Sequence, residues 1–361
     1  MGSKRVSSIE HRDMRYKQQY TGIGAMENNS FPIGKLDPRF LEELFSSLSH
    51  DKRVIVGPGI GRDAAVIDFG KTCLVVKTDP ITFTSCNLGW YSVNINANDI
   101  ACLGAAPRWF LATLLLPQKG TSEALVKKIF EEVNSACQTL GISLIGGHTE
   151  VTFRVDQPLM VGQMIGEVSR ERLVDGSRVK VGNAVLLTKG IAIEGTHVIY
   201  QEKSEKLKEQ FSDEMLSRMK NLIYSPGISV VKEALLASKT GKVHLMHDPT
   251  EGGLKTGLWE MAYASGVGMK IGKKKIPILE ETEAVCKFYG LDPLGLLASG
   301  ALLLITDARQ AEKLCQIYEK EGIACSVIGE VVSREKGVKI VEGKEEMSLS
   351  QSNQDELNKV L

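Results

Sequence analysis

Apolar and polar positions alternate along this chain in blocks that predict layered α/β structure. From Asp37 an aspartate cap, Pro38 at the first helical position and Phe40, Leu41, Leu44, Phe45 and Leu48 at helical spacing predict a helix. A glycine-rich stretch from Gly57 to Gly61 leads into two short β-branched runs, 64–67 and 73–78, the second ending at Asp79. Such runs are short enough for buried strands. Residues 89–103 follow a helical pattern between Gly89 and Gly104, and 110–116 (Phe-Leu-Ala-Thr-Leu-Leu-Leu) read as a buried strand. Thr121 or Ser122 then caps a helix with one apolar stripe, Leu125, Ile129, Val133, Ala136 and Leu140, stopped by Gly141. Strands at 142–145 and 158–168 complete the first half.

The stretch 168–182 is polar and charged, after which Ala184 to Thr188 opens a second alternating set. Its pattern predicts a helix at about 228–238, a helix after Gly252-Gly253, a strand at 300–306, a helix capped by Asp307 and running to Glu321, and a strand at 324–332. The fold class is therefore α/β layers in two domains, as a chain of 361 residues allows. The limits expected are an unstructured extension over 1–32, a first domain over 33–172, a second over 173–345 and a polar tail over 346–361. The first 25 residues are polar and basic, lack an apolar segment and precede a second methionine, Met26, which reads as an extension and not a signal peptide.

Charge and cysteine content narrow the classes. Lysine plus arginine and aspartate plus glutamate each total 44, so nothing marks the chain for nucleic acid or an anionic membrane. Apolar stretches are short and broken, so no membrane span is expected. Seven cysteines (73, 86, 102, 137, 286, 315 and 325) form no CxxC, and their odd number opposes a complete disulfide framework. A reducing cytoplasm fits, with Cys102 and Cys137 as small core residues. His244 and His247, at a strand end, read as structural.

Chemistry is concentrated where acids and amides fall beside strand ends and glycine turns: Asp63, Asp79, Asn98, Asp99, Glu150 and Asp248. Any one of these would be an ordinary turn or cap residue. Asn98-Asp99, however, sits in an otherwise apolar helix, where a carboxylate needs a partner to offset its desolvation. A metal ion or Arg108 could serve. Carboxylates converging from separate elements are what magnesium requires, usually together with substrate phosphates. Gly146-Gly147-His148-Thr149 offers backbone amides and a hydroxyl, as phosphate-binding loops do, yet it matches neither the Walker A nor the GxGxxG pattern.

Five motifs, in order, resemble the aminoimidazole ribonucleotide synthetase superfamily with its PurM-like fold, and most closely its HypE branch. They are Gly59-Ile60-Gly61-Arg62-Asp63-Ala64-Ala65-Val66-Ile67, Lys77-Thr78-Asp79-Pro80, Asn98-Asp99-Ile100-Ala101-Cys102-Leu103-Gly104-Ala105-Ala106-Pro107, Gly146-Gly147-His148-Thr149-Glu150-Val151, and His247-Asp248-Pro249-Thr250-Glu251-Gly252-Gly253-Leu254. The resemblance implies an N-terminal domain whose sheet joins that of a second subunit in a dimer barrel, and a C-terminal α/β domain against it. It also implies ATP and Mg2+, with Asp63, Asp79, Asp99 and Asp248 on metal and triphosphate and Glu150 as a substitute ligand. Gly146, Gly147, His148 and Thr149 would lie along the nucleotide, with Lys77 and Asn98 beside its phosphates.

Three departures bear on chemistry. Arg62 stands where the family often pairs a second acid, and His148 where an acid is expected after the glycine pair. The chain ends Asn358-Lys359-Val360-Leu361, without the terminal cysteine on which HypE acts. The expected function is thus an ATP-dependent phosphorylation or dehydration of an amide-like or phosphate acceptor, small or protein-borne. The alternatives are a thiamine-monophosphate kinase and a nucleotide-dependent scaffold without catalysis.

Overall fold

The structure, a computed structural model, describes residues 33–49, 51–349 and 354–361; the extension expected over 1–32 lies outside them. The first helix forms where the pattern places it: α1 (Pro38–Ser46) is capped by the Asp37 carboxylate, which accepts from the amides of Arg39 and Phe40.

One six-stranded sheet follows, built from β1 (Val54–Val56), β2 (Ala65–Phe69), β3 (Thr72–Ile81), β4 (Ala106–Pro117), β5 (Ser143–Thr152) and β6 (Leu159–Ser169). Its order is β1-β2-β3-β6-β4-β5, antiparallel except for the β4–β5 pair. That pair is parallel because α3 (Glu123–Leu140) carries the chain across between them. α3 begins on the Ser122 hydroxyl and ends at Gly141, whose φ of 68° is the left-handed cap conformation glycine adopts without cost.

A second sheet takes the order β13-β12-β9-β11-β7-β10-β8. Its strands are β7 (Ala184–Thr188), β8 (Val243–His247), β9 (Gly268–Gly272), β10 (Leu303–Thr306), β11 (Cys325–Val332), β12 (Val338–Glu342) and β13 (Glu345–Leu349). The helices of this half are α4 (Ile193–Lys208), α5 (Asp213–Asn221), α6 (Val231–Lys239), α7 (Gly253–Ser265), α8 (Glu280–Tyr289) and α9 (Ala308–Lys320). The two-domain α/β architecture agrees with the expectation. Among the described residues the first sheet is open, with β1 and β5 at its edges.

The element joining the halves is α2 (Leu88–Cys102). Nearly every residue of it is buried, because it packs on β3, β6 and α3 on one side and on α6 and β8 on the other. A helix apolar all round is one buried all round. One apolar cluster accordingly runs through both halves, from Val66, Tyr91 and Ile100 to Leu186, Ala234 and Met246.

Two features depart from the pattern reading. The stretch 346–361, expected as a polar tail, in part carries structure: β13 pairs with β12, and the buried Asp355 accepts from the amides of Gly252, Leu297 and Leu357. α4, α5 and α8 were not anticipated. The first two turns of α4 are buried throughout, so no polar face marks them as helical.

Candidate functional site

The site begins with a close approach of backbones. Gly61 has φ +69°, and a Cβ on it would lie 2.6 Å from the carbonyl oxygen of Glu260. Only glycine lets the 57–61 loop lie against α7. That contact delivers Asp63 to the end of β8, where its Oδ1 stands 2.7 Å from His247 Nδ1. The other ring nitrogen is 3.1 Å from Glu260, whose second oxygen takes Lys35 at 3.1 Å. Burial alone would discharge His247, but Asp63 and Glu260 hold its pKa well above the ordinary value. Burial likewise opposes ionisation of Glu260, and Lys35 and His247 outweigh it, holding that carboxyl at about 2.

Asp79 and Asp99 arrive from β3 and α2 and share one cation. Lys77 Nζ lies 3.1 Å from Asp99 and 3.4 Å from Asp79. Burial lowers the lysine pKa, yet the charges of Asp99, Asp79 and Asp63 keep it raised. Arg108, the other partner weighed for Asp99, instead pairs with Glu167 at the surface. Burial, only partly offset by Lys77, pushes the Asp99 carboxyl well up.

Asp248 follows His247 and is 1% exposed. Its Oδ1 accepts from the Cys102 thiol at 3.6 Å, while its Oδ2 has no hydrogen-bond partner. Burial first, then the charge of Asp63, raises its pKa to about 7. Ligand atoms of Asp63, Cys102 and Asp248 all lie within 4.8 Å of one another. Asp63, Asp79, Asp99 and Asp248, separate in sequence, are thus gathered around Lys77 and His247, with more carboxylates than cations.

Other expected site residues are placed differently. Asn98 is fully buried and its amide is committed to the main chain, donating to Ile228 O at 2.9 Å and accepting from Val230 N at 2.8 Å. It ties α2 to the loop before α6 and is not a phosphate contact. Gly146, Gly147, His148, Thr149 and Glu150 lie on β5, separated from β3 by β4 and β6. At the usual strand spacing that is roughly 14 Å, so within one chain Glu150 does not join the carboxylates as a metal ligand. Glu150 is exposed and stands 3.1 Å from His148. The glycine pair, with His148 and Thr149, lines an apolar cleft of about 350 Å3 alongside Phe130 and Leu144.

Sequence reasoning did not place Glu260 or Lys35 here, and it read His247, although that residue opens the last motif, as structural. The available signal was the adjacency of His247 to Asp248. It also missed Glu194 at the start of α4, 4% exposed, whose Oε2 has no partner and whose pKa burial pushes up to about 8. Beyond Asp79 the chain continues into the wall of a cavity of about 610 Å3, whose lining includes Thr82, Thr84, Ser85, Asp156, Glu202 and Lys203.

This fold and this gathered acid cluster define a two-domain protein of the AIR synthase related class: the family model for the N-terminal domain matches residues 61–168 and that for the C-terminal domain residues 180–342. The chain belongs to that family. It is 31% identical over 268 residues to carbamoyl dehydratase HypE of Cupriavidus necator, covering 72% of this chain and 73% of that protein. The crystal structure of hydrogenase maturation protein HypE in complex with ATP superposes with a TM-score of 0.67 at 23% identity, over 88% of this chain and 91% of that one. Thiamine monophosphate kinase of Aquifex aeolicus has the same fold, with a TM-score of 0.65 at 18% identity, over 87% and 97% of the two chains. Among the described residues no helix is long and apolar enough to cross a membrane.

Proposed function

We propose that this protein binds ATP with Mg2+ at the Asp63, Asp79, Asp99 and Asp248 cluster and uses it to phosphorylate or dehydrate an amide-like or phosphate acceptor. One observation carries the reading: Asp248 Oδ2, buried and unpartnered, lies in a group with Asp63 whose ligand atoms are within 4.8 Å. A buried carboxylate oxygen without a partner is costly, and a hard divalent cation resolves both that cost and the mutual repulsion of the acids. The similarity to carbamoyl dehydratase HypE supports the activity class. Magnesium, when bound, neutralises phosphate charge.

The chain's own residues do the remainder. Lys77, kept charged, faces the same acids and supplies a fixed cation for phosphate oxygens. His247, anchored between Asp63 and Glu260, fixes the orientation of Asp63 as a hydrogen-bonded partner does for a metal ligand. The polar cavity walled by Thr82, Thr84 and Ser85 provides hydroxyl groups for the acceptor.

The working unit is a homodimer formed through β5. This edge strand is exposed at nearly every position although it carries Leu144, Ile145 and Val151, with Phe153 just beyond it. An apolar open edge of that kind is a template for strand pairing. The glycine strand 146–147 then belongs to the subunit contact.

Calorimetric titration with Mg-ATP, followed by a phosphate-release assay, tests the proposal. Binding in the wild type and its loss in Asp99→Asn are expected; a folded wild-type protein that neither binds nor turns over Mg-ATP would overturn it.

A further inference from the structure

Two of the seven cysteines meet away from the acid cluster. Cys315, on α9, and Cys325, the first residue of β11, place their sulfurs 3.4 Å apart in a shared hydrogen bond. Both are partly exposed, and both line a cleft of about 580 Å3 that opens beside Gln316, Glu319 and Lys189. The other cysteines do not share this setting: Cys73, Cys102, Cys137 and Cys286 are buried, and Cys86 is exposed without a nearby thiol among the described residues.

We propose that Cys315 and Cys325 form a dithiol site that is oxidised reversibly to an intramolecular disulfide by a small disulfide of the glutathione class. Four observations support it. The sulfurs are adjacent before any reaction, so a second sulfur is in place to resolve a first adduct. The cleft admits a small reagent. The hydrogen bond between the two sulfurs holds the Cys315 thiol below its ordinary pKa, which favours Cys315 as the attacking sulfur. The two residues are ten apart, on a helix and the strand it leads into, so closure requires little change elsewhere.

The chemistry balances without another reactant. The Cys315 thiolate attacks one sulfur of oxidised glutathione, forming a mixed disulfide and releasing one glutathione thiolate. Cys325 loses its proton to solvent and attacks the Cys315 sulfur, releasing the second. Two thiols of the protein are oxidised, and one disulfide of the reagent is reduced to two thiols.

The site is connected to the functional half of the molecule by position. Cys325 pairs in register with Thr188, and the next residue, Lys189, donates its amide to Ala324 O at 2.8 Å. The buried ammonium of Lys189 bonds Gly227 O, Ser229 O and Glu233. Asn98 holds the same 227–230 loop from the other side, one residue from Asp99. The dithiol therefore sits at the far end of a contiguous polar chain that reaches α2.

The experiment incubates the full-length protein with oxidised glutathione and reads intact mass and tryptic peptides before and after reduction with dithiothreitol. A species lighter by two hydrogens, with a Cys315–Cys325 peptide that reduction separates, is expected in the wild type. In Cys325→Ser the resolving sulfur is absent, so a stable glutathione adduct on Cys315 is expected. Cys315→Ser should lose both the bridge and, at position 325, most of the reactivity. Stable adducts on Cys315 in the wild type, linkage only between separate chains, or equal reactivity of Cys325 in Cys315→Ser would each overturn the proposal. A purely packing role for the two residues leaves the peptides of Cys315 and Cys325 unmodified, whatever adduct the exposed Cys86 takes, and would overturn it too.

Discussion

Individual side chains in this protein do work that their neighbours permit. Asp248 holds its proton to about pH 7 because burial and Asp63 disfavour its charge. A cation must displace that proton, so Mg2+ affinity is expected to rise with pH, at most about tenfold per unit below pH 7, and to level off above it. Magnesium titrations at pH 6 and pH 8 measure this. His247 is the reverse case, a charge held in place by two acids. Replacing it with alanine leaves Asp63 and Glu260 facing each other without their common cation, and breaking a buried pair in this way costs on the order of 3 kcal/mol. Denaturant unfolding of His247→Ala should show that loss.

Glu194 carries a stability signature of definite sign. Its folded-state pKa is about 8 against an ordinary 4.5, so the folded protein keeps a proton that the unfolded chain releases. Stability from this group falls as pH rises from about 4.5 through 8 and is flat outside that window, a total of about 5 kcal/mol if the whole shift is expressed. Glu194→Gln stays neutral at every pH, so its unfolding free energy should lose this slope and exceed the wild-type value at pH 8.

At the scale of elements, the arrangement rests on α2. It supplies Asp99 and Cys102 to the acid cluster on one turn, and through Asn98 it grips the loop 228–230 of the other half. Asn98→Ala leaves a buried amide and a buried carbonyl unpaired, a cost of about 1–3 kcal/mol each. The expected result is a lower unfolding midpoint, and with it a weaker hold of the two halves on each other. The glycine loop is the second such element. In Gly61→Ala the new methyl would meet the Glu260 backbone, so the loop must lift from α7 and take Asp63 away from His247.

At the scale of the whole molecule, the open edge at β5 is where assembly is expected. Ile145 is 54% and Val151 56% exposed on β5, in a strand that has no partner on its outer side among the described residues. A charge introduced there is a common natural guard against strand pairing. Ile145→Lys should therefore shift the protein toward monomer in analytical ultracentrifugation while leaving the unfolding transition close to that of the wild type.

Much of this architecture was legible along the chain, because local signals there do not compete. α1 and α3 have side-chain caps and one-sided apolar stripes, α9 has such a stripe after Asp307, and β3, β6, β7 and β11 are apolar runs between turns; these appear where the pattern placed them. The four aspartates were legible too, since a carboxylate beside a strand end or inside an apolar helix calls for a partner. What only the tertiary structure decided is which partners those were. Lys77 and not Arg108 pairs with Asp99, His247 belongs to the cluster, and Asn98 is a tie between halves, because contacts between side chains on separate elements leave no periodicity to read. The same holds for β5: its Gly146-Gly147-His148 segment has the composition of a phosphate loop, but its place at the sheet edge, set by the crossover of α3, carries it away from the acids of its own chain.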